Sequence, residues 1–283
     1  MSATPRIPPS PRAALAPAAA RLLEELRKIR KDPADVEAIH DARVAARRLA
    51  AASEIWLETG KPREKLRGRL EKCVRRLGRV RNADVAAAFL AGGTDEESPA
   101  RQALTKELRR ESKSRRKKLA EWLTAGRVKR VKAALSKALS EARGDAEPPG
   151  PGALDRTLRA ILRLPRRAAP MADPREAHEL RREIRNLRYQ QESIAPAYTE
   201  FDAEALRDVF MRLQDSAGGW HDRYQIDRLA AALQRRPKLR IAAGALRRRL
   251  AGEMRADTER FLEAMAELVR LKTVLLGKSR RRL

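Results

Sequence analysis

A basic motif that occurs twice, about half a chain apart, constrains this sequence more than any other feature. Glu37 to Leu49 reads EAIHDARVAARRL and Glu176 to Tyr189 reads EAHELRREIRNLRY. On a helix turning about 100° per residue, His40, Arg43 and Arg47 share one narrow arc, as do His178, Arg181, Arg185 and Arg188. Like charges stacked at i, i+3 and i+4 repel one another, so local helix stability does not account for the pattern. An anionic partner would.

The correspondence extends beyond the histidines. A shift of 140 residues lays Leu66 on Leu206, Arg67 on Arg207, Leu70 on Phe210 and Lys72 on Arg212. It also lays Gly78-Arg79-Val80-Arg81-Asn82 on Gly218-Gly219-Trp220-His221-Asp222. Each glycine is expected to end one helix, and each Asn or Asp to cap the next. Arg81 and His221 would then lie beside helix N-terminal amides, which favour anions. A repeat this long suggests a duplicated helical bundle, not a solenoid unit.

Helix-forming Ala, Leu, Arg, Lys and Glu dominate, β-branched residues are scarce, and no segment alternates with period two. The chain reads as all-α. Helix starts are marked at Asp32-Pro33, Ser98-Pro99 and Asp173-Pro174, and Gly60-Lys61-Pro62 separates two helices. The helices expected are 18–31, 33–59, 62–77, 82–91, 99–124, 127–142, 154–164, 174–195, 200–217 and 222–235, then a long helix or broken pair to about residue 276. The stretch GDAEPPGPG at 144–152 is the clearest linker. The domain reading is a Pro-rich end at 1–16, a first bundle at 17–143, that linker, a second bundle at 153–277 and a basic tail at 278–283.

The formal charge of +26 arises from 64 Lys and Arg against 38 Asp and Glu, while 42% hydrophobic residues suffice for a core. Nucleic acid, anionic membrane and phosphate polymers are the partners such a charge attracts. Cys73 is the single cysteine, which excludes an intramolecular disulfide and suits a reducing, cytoplasmic location. It reads as a small core residue, and Trp56, Trp122 and Trp220 as packing residues. No run approaches the ~20 apolar residues of a membrane span, and the N-terminus is a poor export signal.

At the two motifs the chain resembles the CHAD family, the conserved histidine α-helical domain. The family pattern is a histidine with a basic residue three on and a basic pair at seven and eight, followed later by LG and an R-D-x-D-V or N-D turn. The first copy offers His40, Arg43, Arg47 and Arg48, then Leu77-Gly78 and Arg81-Asn82-Ala83-Asp84-Val85. The second offers His178, Arg181, Arg185, Arg188 and Tyr189, then Leu213-Gln214-Asp215 and Trp220-His221-Asp222. Ala50, Asn186 and Ala217 depart from the pattern. The resemblance spans about 18–276 and implies two pseudo-twofold-related four-helix bundles with a basic central channel. It also implies binding of inorganic polyphosphate, on granules of that polymer and near polyphosphate-metabolising enzymes. The β-barrel of the triphosphate tunnel enzymes fused to some relatives has no strand pattern here.

The candidate polyphosphate-binding residues are therefore His40, Arg43, Arg47, Arg48, Lys72 and Arg81, with His178, Arg181, Arg185, Arg188, Arg212 and His221; Tyr189 is a candidate hydroxyl donor. Arginine's fork donates two bonds to one phosphate, and lysine supplies a mobile charge. Neutral imidazoles among arginines are expected to take up protons when an anion binds. Arginines crowd each histidine, so neither a metal centre nor a cofactor is expected. No P-loop, paired-carboxylate or nucleophile-elbow motif appears, so a non-catalytic binder is expected.

Two other readings compete. A nucleic-acid binder fits the charge, but only 4% aromatic residues leave few stacking platforms. An electrostatic coat for a granule or membrane would spread its arginines outward. The segment Arg101 to Lys132, with thirteen basic and three acidic residues, reads equally as an extended binding surface or a solvated helix face.

Overall fold

The computed structural model describes residues 10–140, 159–161, 163–164, 171, 173–194 and 203–280, with side chains of the last stretch described over 204–271. Among the described residues there are helices and no strands. The principal helices are α1 (Pro11–Lys31), α2 (Val36–Trp56), α3 (Lys61–Phe89), α4 (Ser98–Trp122), α5 (Ala125–Ser140), α6 (Pro174–Ile194), α7 (Ala203–Leu233) and α8 (Arg240–Arg280). A 3-10 turn at Pro237–Leu239 precedes α8. The 144–152 linker and the 281–283 end of the tail lie outside the described residues, as do 1–9.

Local chemistry explains most boundaries. Ser10 caps α1 by accepting from the Ala13 amide, with Pro11 at the first position, so helix replaces the expected loose end over 11–16. Asp173 accepts from the Arg175 amide at 2.7 Å and opens α6, as its Asp-Pro signal predicts. Asp32-Pro33 behaves otherwise. Asp32 folds onto the Ala34 amide, and Asp35 becomes the true cap of α2 by accepting from Ala38 at 2.8 Å.

The largest correction concerns Gly78 and Gly218. Both lie inside uninterrupted helices, α3 and α7, where breaks were expected. Glycine in a helix interior costs only about 1 kcal/mol relative to alanine, which packing along a long helix readily outweighs. Asn82 and Asp222 are consequently not caps. The amides near Arg81 and His221 are committed to the helix, so any anion there must be held by side chains.

Contacts divide the chain into two units. The first comprises 1–81, 115–162 and 186–207; the second comprises 82–114, 163–185 and 208–283. Packing thus draws each unit from both halves of the sequence. α1, α2 and α5 belong wholly to the first unit and α8 to the second, while α3, α4, α6 and α7 contribute residues to each.

In the first unit, Leu15, Ala19, Leu22, Leu26 and Ile29 on α1 repeat at alternating steps of four and three. Leu66, Leu70, Cys73, Leu77 and Val80 do the same on α3. That period of 3.5 makes a continuous apolar seam. α2 contributes Ile39 and Leu49 among alanines, whose small side chains suit its packing against α1. Truncating a fully buried leucine such as Leu22 or Leu49 should cost about 2–5 kcal/mol.

The second unit has its own core, built from Leu104 and Leu108 of α4, Ile226 and Leu233 of α7, and Leu246 and Leu250 of α8. Beside it, Arg249 donates to Glu97 at 2.9 Å and to Glu253 at 2.7 Å. Arg223 donates to Glu253 and Asp257 at 2.6 and 2.8 Å. Gly219 makes room for this network, since a Cβ there would meet the Arg223 guanidinium at 2.5 Å.

Candidate functional site

Each unit assembles one histidine–arginine cluster. In the first, α2 carries His40, Arg43 and Arg47, and α3 carries Gly78 and Arg81. Arg81 donates its Nε hydrogen to His40 Nδ1 at 3.4 Å, leaving that imidazole exposed. The Arg43 side chain crosses α3 where Gly78 lacks a side chain; a Cβ there would stand 3.3 Å from Arg43 Nε. Desolvation, then Arg81, hold the His40 pKa below its ordinary value; Asp41 opposes them, and Arg43 and Arg47 reinforce them.

The second cluster has the same plan. His178, Arg181 and Arg185 come from α6, and Gly218, His221 and Asp222 from α7. Arg181 passes Gly218, with Nε 3.8 Å from where a Cβ would be. It also lies 3.8 Å from an Asp222 carboxylate oxygen. The site of Arg81 is taken by His221, whose ring centroid is 4.9 Å from that of His178. Desolvation first, then Arg181, His178 and Arg185 push the His221 pKa down to about 4. His178 is also lowered, by desolvation and then by Arg181, Arg182 and Arg185, with Glu179 opposing. Both imidazoles are neutral at pH 7. Among the described residues the buried His221 Nδ1 has no hydrogen-bond partner.

The remaining candidates lie elsewhere. Lys72 and Arg212 stand nine residues before Arg81 and His221 on the same unbroken helices, which turns them about 180° away. Lys72 faces a cleft beside α5, and Arg212 is exposed and pairs with Glu267 at 2.6 Å. A break at the glycines would have let them rejoin the motif; the continuous helices do not.

The basic run of α6 is divided too, because Arg185 falls in the second unit and Asn186 in the first. Arg188 and Tyr189 therefore belong with α2. Tyr189 is buried, with the guanidinium carbons of Arg188 and Arg48 at 4.7 and 5.7 Å from its ring centre. Both arginines also lie 3.5 Å from Glu192. The aromatic face of Tyr189, the part of this side chain that meets cations, thus has a packing role.

The departures from the family pattern have structural uses. Asn186 and Gln190 both donate to Glu54, at 3.1 and 2.9 Å, and Ala217 is buried. Within the basic 101–132 segment, Arg101, Arg115 and Arg116 donate to backbone carbonyls, including those of Leu90, Arg79 and Ala34. Cys73 is buried, and desolvation raises its thiol to about 11, which suits a core residue. Trp56 and Trp220 are buried, and Trp122 packs at the edge of the first core.

Sequence reasoning missed the carboxylates of the clusters and the purpose of the glycines. Asp41 directly follows His40 and Asp222 directly follows His221, so a signal was present. The glycines were visible as well, but clearance for an arginine on another helix is a tertiary property.

The described residues contain no group of three His, Cys, Asp or Glu that could hold a metal, and no described helix is long and apolar enough to cross a membrane. The family profile for the CHAD domain matches residues 13–226. No curated protein matches the sequence. Among solved structures, PptA from Streptomyces chartreusis is similar, with 18% identity and a TM-score of 0.69 over 90% of this chain and 99% of that one. The CHAD domain from the plant Ricinus communis is similar as well, with 18% identity and a TM-score of 0.71 over 95% and 94%. This chain belongs to the CHAD domain family.

Proposed function

We propose that this protein binds inorganic polyphosphate without turning it over, using the two histidine–arginine clusters as equivalent phosphate-holding stations. The observation that carries this reading is the repeated plan: an arginine passing a helical glycine beside a neutral histidine, met at positions 43 and 78 and again at 181 and 218. We take that repetition as the imprint of an internal duplication. An arginine held in place loses little entropy on gripping a phosphate, and the polymer offers one negative oxygen-rich unit after another.

A single channel serving both stations, and recruitment to polyphosphate granules, are carried over from the family. They add a separate expectation, that one long polymer binds per chain. If about eight phosphates are neutralised, affinity should fall roughly a thousandfold between 50 and 200 mM salt, by the single-strand counterion slope.

Nucleic acid fits less well. Trp56, Trp220 and Tyr189 are buried, so none is a free platform for stacked bases. The test is competition at physiological salt, with long polyphosphate and RNA supplied at equal phosphate concentration. Polyphosphate should displace a bound labelled polyphosphate far better than RNA does. Stronger displacement by RNA or DNA overturns the proposal.

A further inference from the structure

Apart from the histidine clusters, the first unit contains a cleft of about 320 Å³ between α3 and α5. Its base is apolar: the edges of Val128 and Val131 line it, with Leu123 and the fully buried Leu26 packed behind them in the core of that unit. Its rim is cationic: Lys65, Arg69, Lys72 and Arg127 face it, against the single carboxylate of Glu64. The buried Nε of Arg69 has no hydrogen-bond partner among the described residues. Trp122 forms one wall, with the guanidinium carbons of Arg127 and Arg76 at 5.2 and 6.0 Å from its ring centre.

Gly68 lines the cleft. It sits within α3, where glycine weakens a helix, yet a Cβ built on it would meet nothing within 4 Å. No packing constraint requires a glycine there. Its missing side chain leaves open volume in the cleft that Lys65, Arg69 and Lys72 also line.

An apolar floor under a cationic rim matches a molecule with the opposite polarity. The floor has no polar groups with which to read a nucleobase, and a bare phosphate polymer would leave it wetted. We propose that this cleft binds an amphiphilic anion, a carboxylate or phosphate head on a short alkyl or aryl body of roughly ten non-hydrogen atoms, taking about 30 Å³ for each. The body lies along Gly68, Trp122 and the accessible edges of Val128 and Val131 while the head meets Lys65, Lys72 and Arg69. Lys72, which the sequence motif associates with the polyphosphate site, is thereby given a different ligand.

The test titrates the full chain by calorimetry with octanoate and with octanol, which share a body and differ in the head. Octanoate should bind saturably, one per chain, and octanol about tenfold or more weaker, as loss of a charged hydrogen-bonded head requires. Gly68→Leu should abolish octanoate binding by placing a side chain in the cleft, where its Cβ meets nothing within 4 Å, and its helix content by circular dichroism should match the parent. Lys65→Ala should weaken octanoate about threefold to tenfold. Equal binding of octanoate and octanol, or full octanoate binding by Gly68→Leu, overturns the proposal. So does capture on phosphatidylglycerol vesicles without binding of free octanoate, since a flat bilayer headgroup does not require the cleft.

Discussion

The two histidine–arginine clusters differ at one position, and the difference is instructive. Beside His40 the first cluster places Arg81, a permanent cation that donates to the imidazole. Beside His178 the second places His221, a group that burial and neighbouring cations keep neutral at pH 7. The first cluster therefore has one titratable ring, His40, beside a fixed cation. The second holds charge in reserve, available when an incoming anion offsets the cost of protonation. Similar helices and spacings thus yield one anion station with a single titratable ring and another with two.

Charge reversal probes the comparison most severely. Arg43→Glu with Arg47→Glu, and separately Arg181→Glu with Arg185→Glu, should each weaken polyphosphate binding on the order of a hundredfold, since two charged hydrogen-bonding groups are lost and repulsion is added. Combining all four should leave almost no binding by filter retention. A diffuse coat would lose only four arginines' share of 64 cationic residues. That smaller loss would end the two-station account.

The glycines give a subtler contrast. Gly78→Ala must push the Arg43 side chain aside by a few tenths of an ångström, whereas Gly218→Ala meets Arg181 at ordinary contact distance. Polyphosphate affinity should fall about threefold to tenfold for the first and change little for the second. Equal losses would mean that arginine clearance does not matter.

The effect of pH should come mainly from the second cluster, which has two depressed imidazoles against one in the first. Its imidazoles are neutral when free, and a bound polyanion raises their pKa, so binding takes up protons. Affinity should therefore rise as pH falls from 8 to 6, by at most about tenfold per pH unit for each proton taken up. His221→Arg, which copies the first cluster, should make the profile shallower, and calorimetry in two buffers would count the protons that His40 and His178 still take up. An unchanged pH profile in that variant would assign the protons elsewhere.

The smallest effect is on folding. His221 has a folded-state value of about 4 against an ordinary 6.5, so the unfolded chain binds the proton first. Stability contributed by the neutral ring should be present above pH 6.5 and be lost progressively down to about pH 4. The melting temperature of His221→Gln should decline less over that window than that of the parent. His40, more exposed and less shifted, should show a weaker trend in His40→Gln.

Much of this molecule is written in local periodicity. The seams of α1 and α3, the Asp173 cap, and the arcs shared by His40 with Arg43 and by His178 with Arg181 all depend on residues within a turn or two. Those features specify an all-helical chain with two basic faces, whatever surrounds them. Tertiary packing decided the rest. It carried α3 and α7 straight through glycines that locally favour an ending, and so turned Lys72 and Arg212 away. It allotted Arg185 and Arg188 to different units and buried Tyr189 beside two guanidinium groups. The reason is energetic: a glycine or a single turn biases the backbone by about 1 kcal/mol, while each buried leucine contributes about 2–3 kcal/mol. Where the two compete, distant side chains set the outcome.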